Sequence, residues 1–559
     1  EEYRSVISCR RRSREYFPLA GASVAALDWR QEDAMVYQPS PAVLAAGRAS
    51  IGGMFAARAT AAPDDPAITD LKRTLNYGAL NARVNQLAHH LLARGVGLGD
   101  RVAMLARNCI EYLELELACA KIGAIVAAQN WRLADRELAH CLALVTPRLI
   151  VHGAAMAEVL RRLDLAGVDT LALGPAYEAA LAAAPATEPT ITAGGEDGLV
   201  ILYTSGTTGL PKGALISHRA MAARVLAYAA ELNVPGRDNF VAWAPLFHMV
   251  STDHALASLT RGGQVIVIDG FQPELLMTCL ERYALHWLVV IPGMIAPFLE
   301  ALATARPRIK GVAMIGAMAD LVPPAQLAAI TRALNAPFVN SFGATETGLP
   351  PATGNLVAVG ATTVPPKRQS GGCEIRLVGP DDDEVAPGMV GELAIRGPTL
   401  FSGYWRAEET NATDFRGGWF HMGDVFRRTD EGGLIFVDRV KYMIKSGGEN
   451  IYPAEIEQVL LAHPGVAECA VIRRPDPTWG EVPVAIVARR DDGLEAADLM
   501  ARCAATLSRY KRPRAIIFID AAAFPRSTSG KIQRHALEAE FNEDIELDAQ
   551  PSSVEQQRA

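Results

Sequence analysis

Short apolar runs alternate with helical stretches along the first half of this chain. Between residues 42 and 270, runs such as 199–203 and 265–268 are separated by Ala- and Leu-rich segments such as 111–122. Apolar runs bounded by turn formers read as buried strands, and their alternation with helices predicts stacked α/β layers around largely parallel sheets. From residue 371 to 436 the texture changes to β-like runs at 374–377, 392–395 and 434–437, divided by Gly, Pro and Asp clusters. That spacing predicts a small antiparallel or barrel-like subdomain. After Asp438 a third pattern begins, with predicted helices over 453–462 and 496–508 and strands over 467–472 and 482–488. It reads as a separate α+β domain of ordinary size.

The expected fold class is therefore α/β: a large N-terminal domain of stacked layers with a small β-barrel-like subdomain, then a small mobile α+β C-terminal domain. The boundaries fall at 1–41 for a partly disordered extension, 42–438 for the large domain, 439–540 for the small one and 541–559 for an acidic, disordered tail. In the extension, Arg10, Arg11, Arg12 and Arg14 precede an apolar stretch at 17–27. This is a weak likeness to a twin-arginine signal, and because no small-residue cleavage site follows, a plain extension is the preferred reading.

Composition narrows the function. A 559-residue chain that is 50% hydrophobic can bury a large core. A net charge of -8 argues against nucleic-acid binding, which needs an excess of clustered Lys and Arg, so an anionic substrate requires a local basic site. The eight cysteines have no C-x-x-C pair or metal-ligand spacing, which indicates neither a disulfide framework nor structural zinc and fits a reducing cytoplasm. No apolar run reaches the ~20 residues of a spanning helix.

The strongest local chemistry follows the run 199–203, where Thr204-Ser205-Gly206-Thr207-Thr208-Gly209-Leu-Pro-Lys212-Gly213 joins small hydroxyl and glycine residues to a lysine. Backbone N–H groups and hydroxyls of such a loop can cradle phosphate oxygens while Lys212 supplies charge. It is not a Walker loop, since the Gly-Lys-Ser/Thr spacing is missing. A polar turn between strand and helix would account for the glycines but not for the hydroxyls and lysine together.

Further segments follow in order: Pro245-Leu-Phe-His248, Asn340-Ser-Phe-Gly-Ala-Thr-Glu346, Gly418-Trp-Phe-His-Met-Gly-Asp424, Asp438-Arg-Val-Lys441, Lys445-Ser-Gly-Gly-Glu-Asn450 and Pro525-Arg-Ser-Thr-Ser-Gly-Lys531. With the phosphate loop they resemble the ordered motifs of the adenylate-forming superfamily of acyl- and aryl-CoA synthetases, peptide-synthetase adenylation domains and luciferases. The resemblance spans residues 42–537. It implies ATP, Mg2+ and coenzyme A as reactants, a small carboxylic acid as substrate, and a homodimer.

In such an enzyme a carboxylate attacks the α-phosphate of ATP, so two anions must be brought together and neutralised. The resemblance assigns that task to Lys531; a lysine about 4 Å from one such charge contributes about 4 kcal/mol at an effective dielectric near 20. It makes Glu346 the Mg2+ ligand, a carboxylate suited to a hard cation, and gives Thr345 the α-phosphate. Phe342 would stack on adenine, where the family more often has Tyr. Asn340 would bond the adenine amino group, Gly316 and Ala317 would cover the other ring face, and Asp424 and Arg439 would complete the nucleotide site. His248 would stand at the mouth of the acid pocket, with Ser251, Ala317, Met318, Ser341, Gly343 and Thr347 as small or apolar walls suited to a lipophilic or aromatic monocarboxylic acid. His254 reads as structural.

For the second half-reaction the resemblance implies rotation of the C-terminal domain about a hinge at Lys441. Gly447 and Gly448 would then line a pantetheine tunnel, where close backbone approach favours glycine. Trp479 would stack on the CoA adenine and Arg132 would meet a CoA phosphate, although a domain-capping Trp and a surface ion pair are the plain alternatives. A stand-alone enzyme loading an acyl carrier protein, a medium- or long-chain fatty acyl-CoA synthetase, a non-catalytic binding relic and a luciferase-type oxidase remain open. Two segments depart from the family pattern: Gly316-Ala-Met-Ala-Asp320 beside the acid pocket, and Val364-Pro-Pro-Lys-Arg-Gln369, which leaves the course of that loop open.

Overall fold

The computed structural model describes residues 50–543 except 164, 166, 205–209, 318, 354, 448, 491 and 527–531. The extension, most of the phosphate loop, Met318, Gly448 and Lys531 thus lie outside the described residues, as does Cys9.

Three sheets with parallel cores form the large domain. The six-stranded sheet runs in the order Asp169–Ala172, Leu149–His152, Arg101–Leu105, Ile125–Ala128, Gly198–Thr204, Lys212–Ser217, and only its last pair is antiparallel. A four-stranded sheet orders Thr74–Asn76, Pro66–Thr69, Gln264–Val267 and Asn239–Ala242. Another orders Leu285–Val289, Val312–Ala317, Phe338–Asn340 and Leu356–Val357. Strands such as Ile125–Ala128 are buried at every position, as expected when helices cover both faces of a parallel sheet. The helix Ile110–Ile122 is almost wholly buried and ends at Gly123 in the left-handed region (φ 74°), a conformation that favours glycine. The predicted strand 199–203 and helix 111–122 are both present within a residue at each end.

The antiparallel subdomain is a four-stranded sheet of Glu374–Val378, Val390–Arg396, Phe420–Arg428 and Leu434–Arg439. Its last strand stops at Arg439, and the first strand of the next sheet, Ile444–Ser446, follows the short turn Val440–Tyr442. The C-terminal sheet pairs Val466–Asp476 with Gly480–Arg489 in a long hairpin, flanked by Ala515–Phe518 and the helices Pro453–Leu461 and Ala496–Thr506. The helix Arg534–Glu543 continues past the boundary expected at residue 540.

The seven described cysteines are free. No helix among the described residues is long and apolar enough to cross a membrane.

Candidate active site

The segment expected to cradle phosphate leaves one strand and returns along its antiparallel neighbour, with Thr204 and Lys212 opposite each other in register. Residues 205–209 lie outside the described residues, so the loop's two anchors are what the structure gives. A segment far along the chain docks on the returning strand: the N–H of Leu215 donates to Gly403, that of Trp405 to Gly213 (2.7 Å) and that of Ser402 to Leu215 (2.7 Å). This brings Tyr404 beneath Lys212, whose ammonium sits 4.6 Å from the ring centroid, within cation–π range.

The tyrosine hydroxyl donates to Glu346 Oε1 at 2.8 Å. Glu346 stands with Thr345 in the tip of a hairpin made by Phe342–Ala344 and Gly348–Ala352. Two contacts hold that tip. The Phe401 N–H donates to the Glu346 carbonyl (2.9 Å), and the buried Arg224 guanidinium donates to the Thr345 carbonyl (3.0 Å) while pairing with Asp253 at 3.1 Å. Arg439 Nε donates to the buried Asp424 at 3.0 Å, directly across the antiparallel pair, and Asp424 and Glu346 both raise the guanidinium pKa. Lys212, Glu346, Asp424 and Arg439, distant in sequence, thus gather into one alternating cluster of charge. Asp414 belongs to it as well: burial raises its carboxyl pKa, and Lys212 pulls it back.

The residues expected on the adenine side are held more tightly than their sequence suggests. Asn340 is buried, its Nδ2 donates to the Pro365 carbonyl at 2.8 Å, and its Oδ1 accepts from Lys367. Ala317 is its register partner across the parallel pair. A Cβ on Gly316 would lie 2.9 Å from the Val339 carbonyl oxygen, so the close strand approach requires glycine. The Phe342 ring is 3% exposed, stacked on Phe436 at 5.2 Å and edge-on to Phe426 at 4.8 Å. In this arrangement Phe342 is a core ring, and the surface expected to stack on adenine is not exposed.

Several expected pocket walls turn inward. A Cβ on Gly343 would meet the Gly348 carbonyl oxygen at 2.0 Å, so that position is filled by its own hairpin. The buried Thr347 hydroxyl accepts the Ala344 N–H at 3.0 Å and closes the turn. Ser251 is buried and donates to the Ala244 carbonyl at 2.7 Å. Ser341 keeps partial exposure between strand and hairpin. His248 is the N-cap of Met249–Arg261, and the next two residues, Met249 and Val250, are only partly buried against the core. His254 is a core residue as expected: it packs on Tyr228 at 4.8 Å, its Nδ1 meets the Val250 carbonyl at 2.7 Å, and burial lowers its pKa to about 4.

Near His248, Arg132 lies 5.9 Å from the Phe247 ring and 5.0 Å from that of Trp131, whose ring also carries Arg107 at 4.4 Å. In the C-terminal sheet Gly447 and Trp479 touch: the Gly447 N–H donates to the Trp479 carbonyl (2.8 Å), and a Cβ at Gly447 would lie 2.7 Å from the indole. Trp479 remains 47% exposed, so it does not cap a core. The Lys441 carbonyl accepts from Arg473 at 2.7 Å, and Asp438 accepts the Ala454 N–H at the start of the following helix at 2.8 Å. Burial raises the Asp438 pKa to about 6.

Tyr404, Asp414, Arg224 and Lys367 join the candidate site through these contacts, and sequence reasoning missed them. Tyr404 stands in Phe401-Ser-Gly-Tyr-Trp405, where three aromatics in five residues read as core and nothing local points to Lys212 or Glu346.

Comparison with known proteins shows that this fold is that of a nucleotide-handling enzyme. Residues 55–405 match the AMP-binding enzyme family, and residues 455–531 match the AMP-binding enzyme C-terminal domain. A feruloyl-CoA synthase of Amycolatopsis sp is 35% identical over 503 residues, covering 88% of this chain and 99% of its own. A long-chain-fatty-acid–CoA ligase of Mycobacterium tuberculosis is 32% identical over 515 residues, covering 88% and 99%. The solved Mycobacterium tuberculosis fatty acyl CoA synthetase superposes with a TM-score of 0.71 at 30% identity, covering 89% of this chain and 99% of that one. The chain belongs to the AMP-binding enzyme family.

Proposed function

We propose that this enzyme is an AMP-forming carboxylic acid:CoA ligase whose substrate is a lipophilic or aromatic monocarboxylic acid. The observation that carries the reading is the convergence of Lys212, Glu346, Asp424 and Arg439 on one another from four separate segments. Such a cluster offers cations to phosphate oxygens and an acceptor to ribose hydroxyls. Thr204 to Gly209 and Lys212 hold the phosphates, Thr345 meets the α-phosphate, and Asp424 accepts from the ribose. Lys531 reaches the reacting oxygens from the C-terminal domain, which turns about Lys441 between a large domain ending near residue 438 and a small one starting at 439. The partly buried Met249 and Val250 after His248 support an apolar acid. Arg132, with its guanidinium over Trp131, and the exposed indole of Trp479 against Gly447 support CoA as the acceptor.

Glu346 fits a hard divalent cation: it is a partly exposed carboxylate with one oxygen bonded to Tyr404, beside a phosphate-loop lysine. It would hold Mg2+ together with ATP oxygens, and the ion would supply Lewis-acid neutralisation of phosphate charge.

The test is incubation with ATP, Mg2+ and a panel of aryl, short-, medium- and long-chain acids, following AMP release with CoA or holo carrier protein as acceptor. Acid- and CoA-dependent AMP is expected. Turnover only with carrier protein would overturn the CoA assignment, and absence of acid-dependent pyrophosphate exchange across the panel would overturn adenylation.

A further inference from the structure

We propose that Tyr404 is a positioning residue that couples the phosphate-loop lysine to the metal-binding acid: its ring seats the Lys212 ammonium and its hydroxyl orients the Glu346 carboxylate. The inference rests on the reading of Glu346 as the Mg2+ ligand.

The geometry separates the two tasks within one side chain. Lys212 Nζ lies 4.6 Å from the ring centroid, whereas the hydroxyl donates to Glu346 Oε1 at 2.8 Å. A hydrogen bond to one carboxylate oxygen fixes the plane of the group and so the direction of the other oxygen, as partners of ligating carboxylates do elsewhere. The tyrosine is itself held rigidly. Its N–H donates to Asn411 Oδ1 (2.7 Å) and its carbonyl accepts from Asn411 Nδ2 (2.8 Å). Its ring is 8% exposed and meets Phe401 edge-on at 4.9 Å, and Ala214 bridges to it from the loop-closing strand. A residue tied to both the loop strand and the hairpin can pass the position of one to the other, and a lysine and a glutamate left to themselves would form a direct ion pair that competes with phosphate and metal. The aromatic spacer keeps both groups available.

Calorimetric titration of ATP into the full chain, without acid or CoA, reads this directly when run in EDTA and over graded Mg2+. Tyr404→Phe keeps the ring and loses the hydroxyl. Its ATP affinity in EDTA should stay within about twofold of the parent, while the Mg2+ concentration giving half the metal-dependent gain rises roughly tenfold. Tyr404→Leu loses both features and should also bind ATP about threefold more weakly in EDTA, because the Lys212 contact is gone. Glu346→Gln, run alongside, should raise that Mg2+ concentration at least as far as Tyr404→Phe does. If Glu346→Gln raises it and Tyr404→Phe titrates like the parent, the positioning role is refuted while the metal reading stands. If Glu346→Gln leaves the Mg2+ dependence intact, the metal reading fails and the proposal with it. A Phe variant weakened equally with and without Mg2+ would mark a merely structural tyrosine and overturn the proposal.

Discussion

Lys367 offers the sharpest test of how the nucleotide site is held together. The side chain is 1% exposed, pairs with Asp320 at 2.5 Å and donates to Asn340. Burial lowers its pKa and Asp320 opposes that shift. At this separation and an effective dielectric near 20 the gross attraction is about 7 kcal/mol, of which desolvation of the two ions removes most. Lys367→Met leaves a carboxylate without its cation. The loss has a ceiling, because protonating an ordinary aspartate at pH 7 costs about 4 kcal/mol. We therefore expect Lys367→Met to destabilise the large domain by about 4 kcal/mol at pH 7, a large share of a typical folding free energy.

The pH dependence has a definite sign. Burial holds the Lys367 pKa below its unfolded value, so the unfolded chain binds that proton more readily and the parent gains stability as pH rises towards the ordinary lysine range. Lys367→Met lacks that gain, so its deficit relative to the parent should widen with rising pH above neutrality. Urea denaturation of the large-domain transition, followed by tryptophan fluorescence, measures it. Asp320→Asn with Lys367→Met should recover about 3 kcal/mol relative to the sum of the single variants. Lys367→Met should also raise the KM for ATP, since Asn340 loses its anchor. Additive single variants, or a deficit independent of pH, would refute the claim that a buried ion pair positions Asn340.

Lys531→Ala should slow acyl-adenylate formation by about a thousandfold yet leave CoA transfer from preformed acyl-adenylate near the parent rate, since about 4 kcal/mol of charge stabilisation is lost in one step only; equal losses in both half-reactions would contradict it. Trp479→Ala should raise the KM for CoA about tenfold, the worth of one base–aromatic stack, with pyrophosphate exchange unchanged. Gly343→Ala forces a methyl against the Gly348 carbonyl, where the available space is 2.0 Å. It should cost about 3 kcal/mol of stability and raise the KM for ATP by shifting the Thr345–Glu346 tip; a thermal melt and initial-rate kinetics would show whether it does.

Much of this enzyme was legible in consecutive residues. Apolar periodicity marked the strand Gly198–Thr204, the helix Ile110–Ile122 and the two long strands of the C-terminal sheet, though not their pairing, because strand and helix repeat at short range. Loop chemistry picked out Lys212, and the resemblance to the ordered motifs of the adenylate-forming superfamily supplied Glu346, Asp424 and Arg439. What the sequence left open is what depends on partners far along the chain. Val364-Pro-Pro-Lys-Arg-Gln369 read as a loop of unknown course, yet the Lys367 backbone pairs with Leu434 and its side chain is buried against Asp320. Thr347, Ser251 and Gly343 read as pocket walls because they are small, and packing turned them toward their own backbone. Tyr404 carried no local signal at all. Patterns that repeat over a few residues are set by backbone geometry and survive in any surroundings. Which buried cation meets which acid is decided only when desolvation forces every charge in the folded core to find a partner.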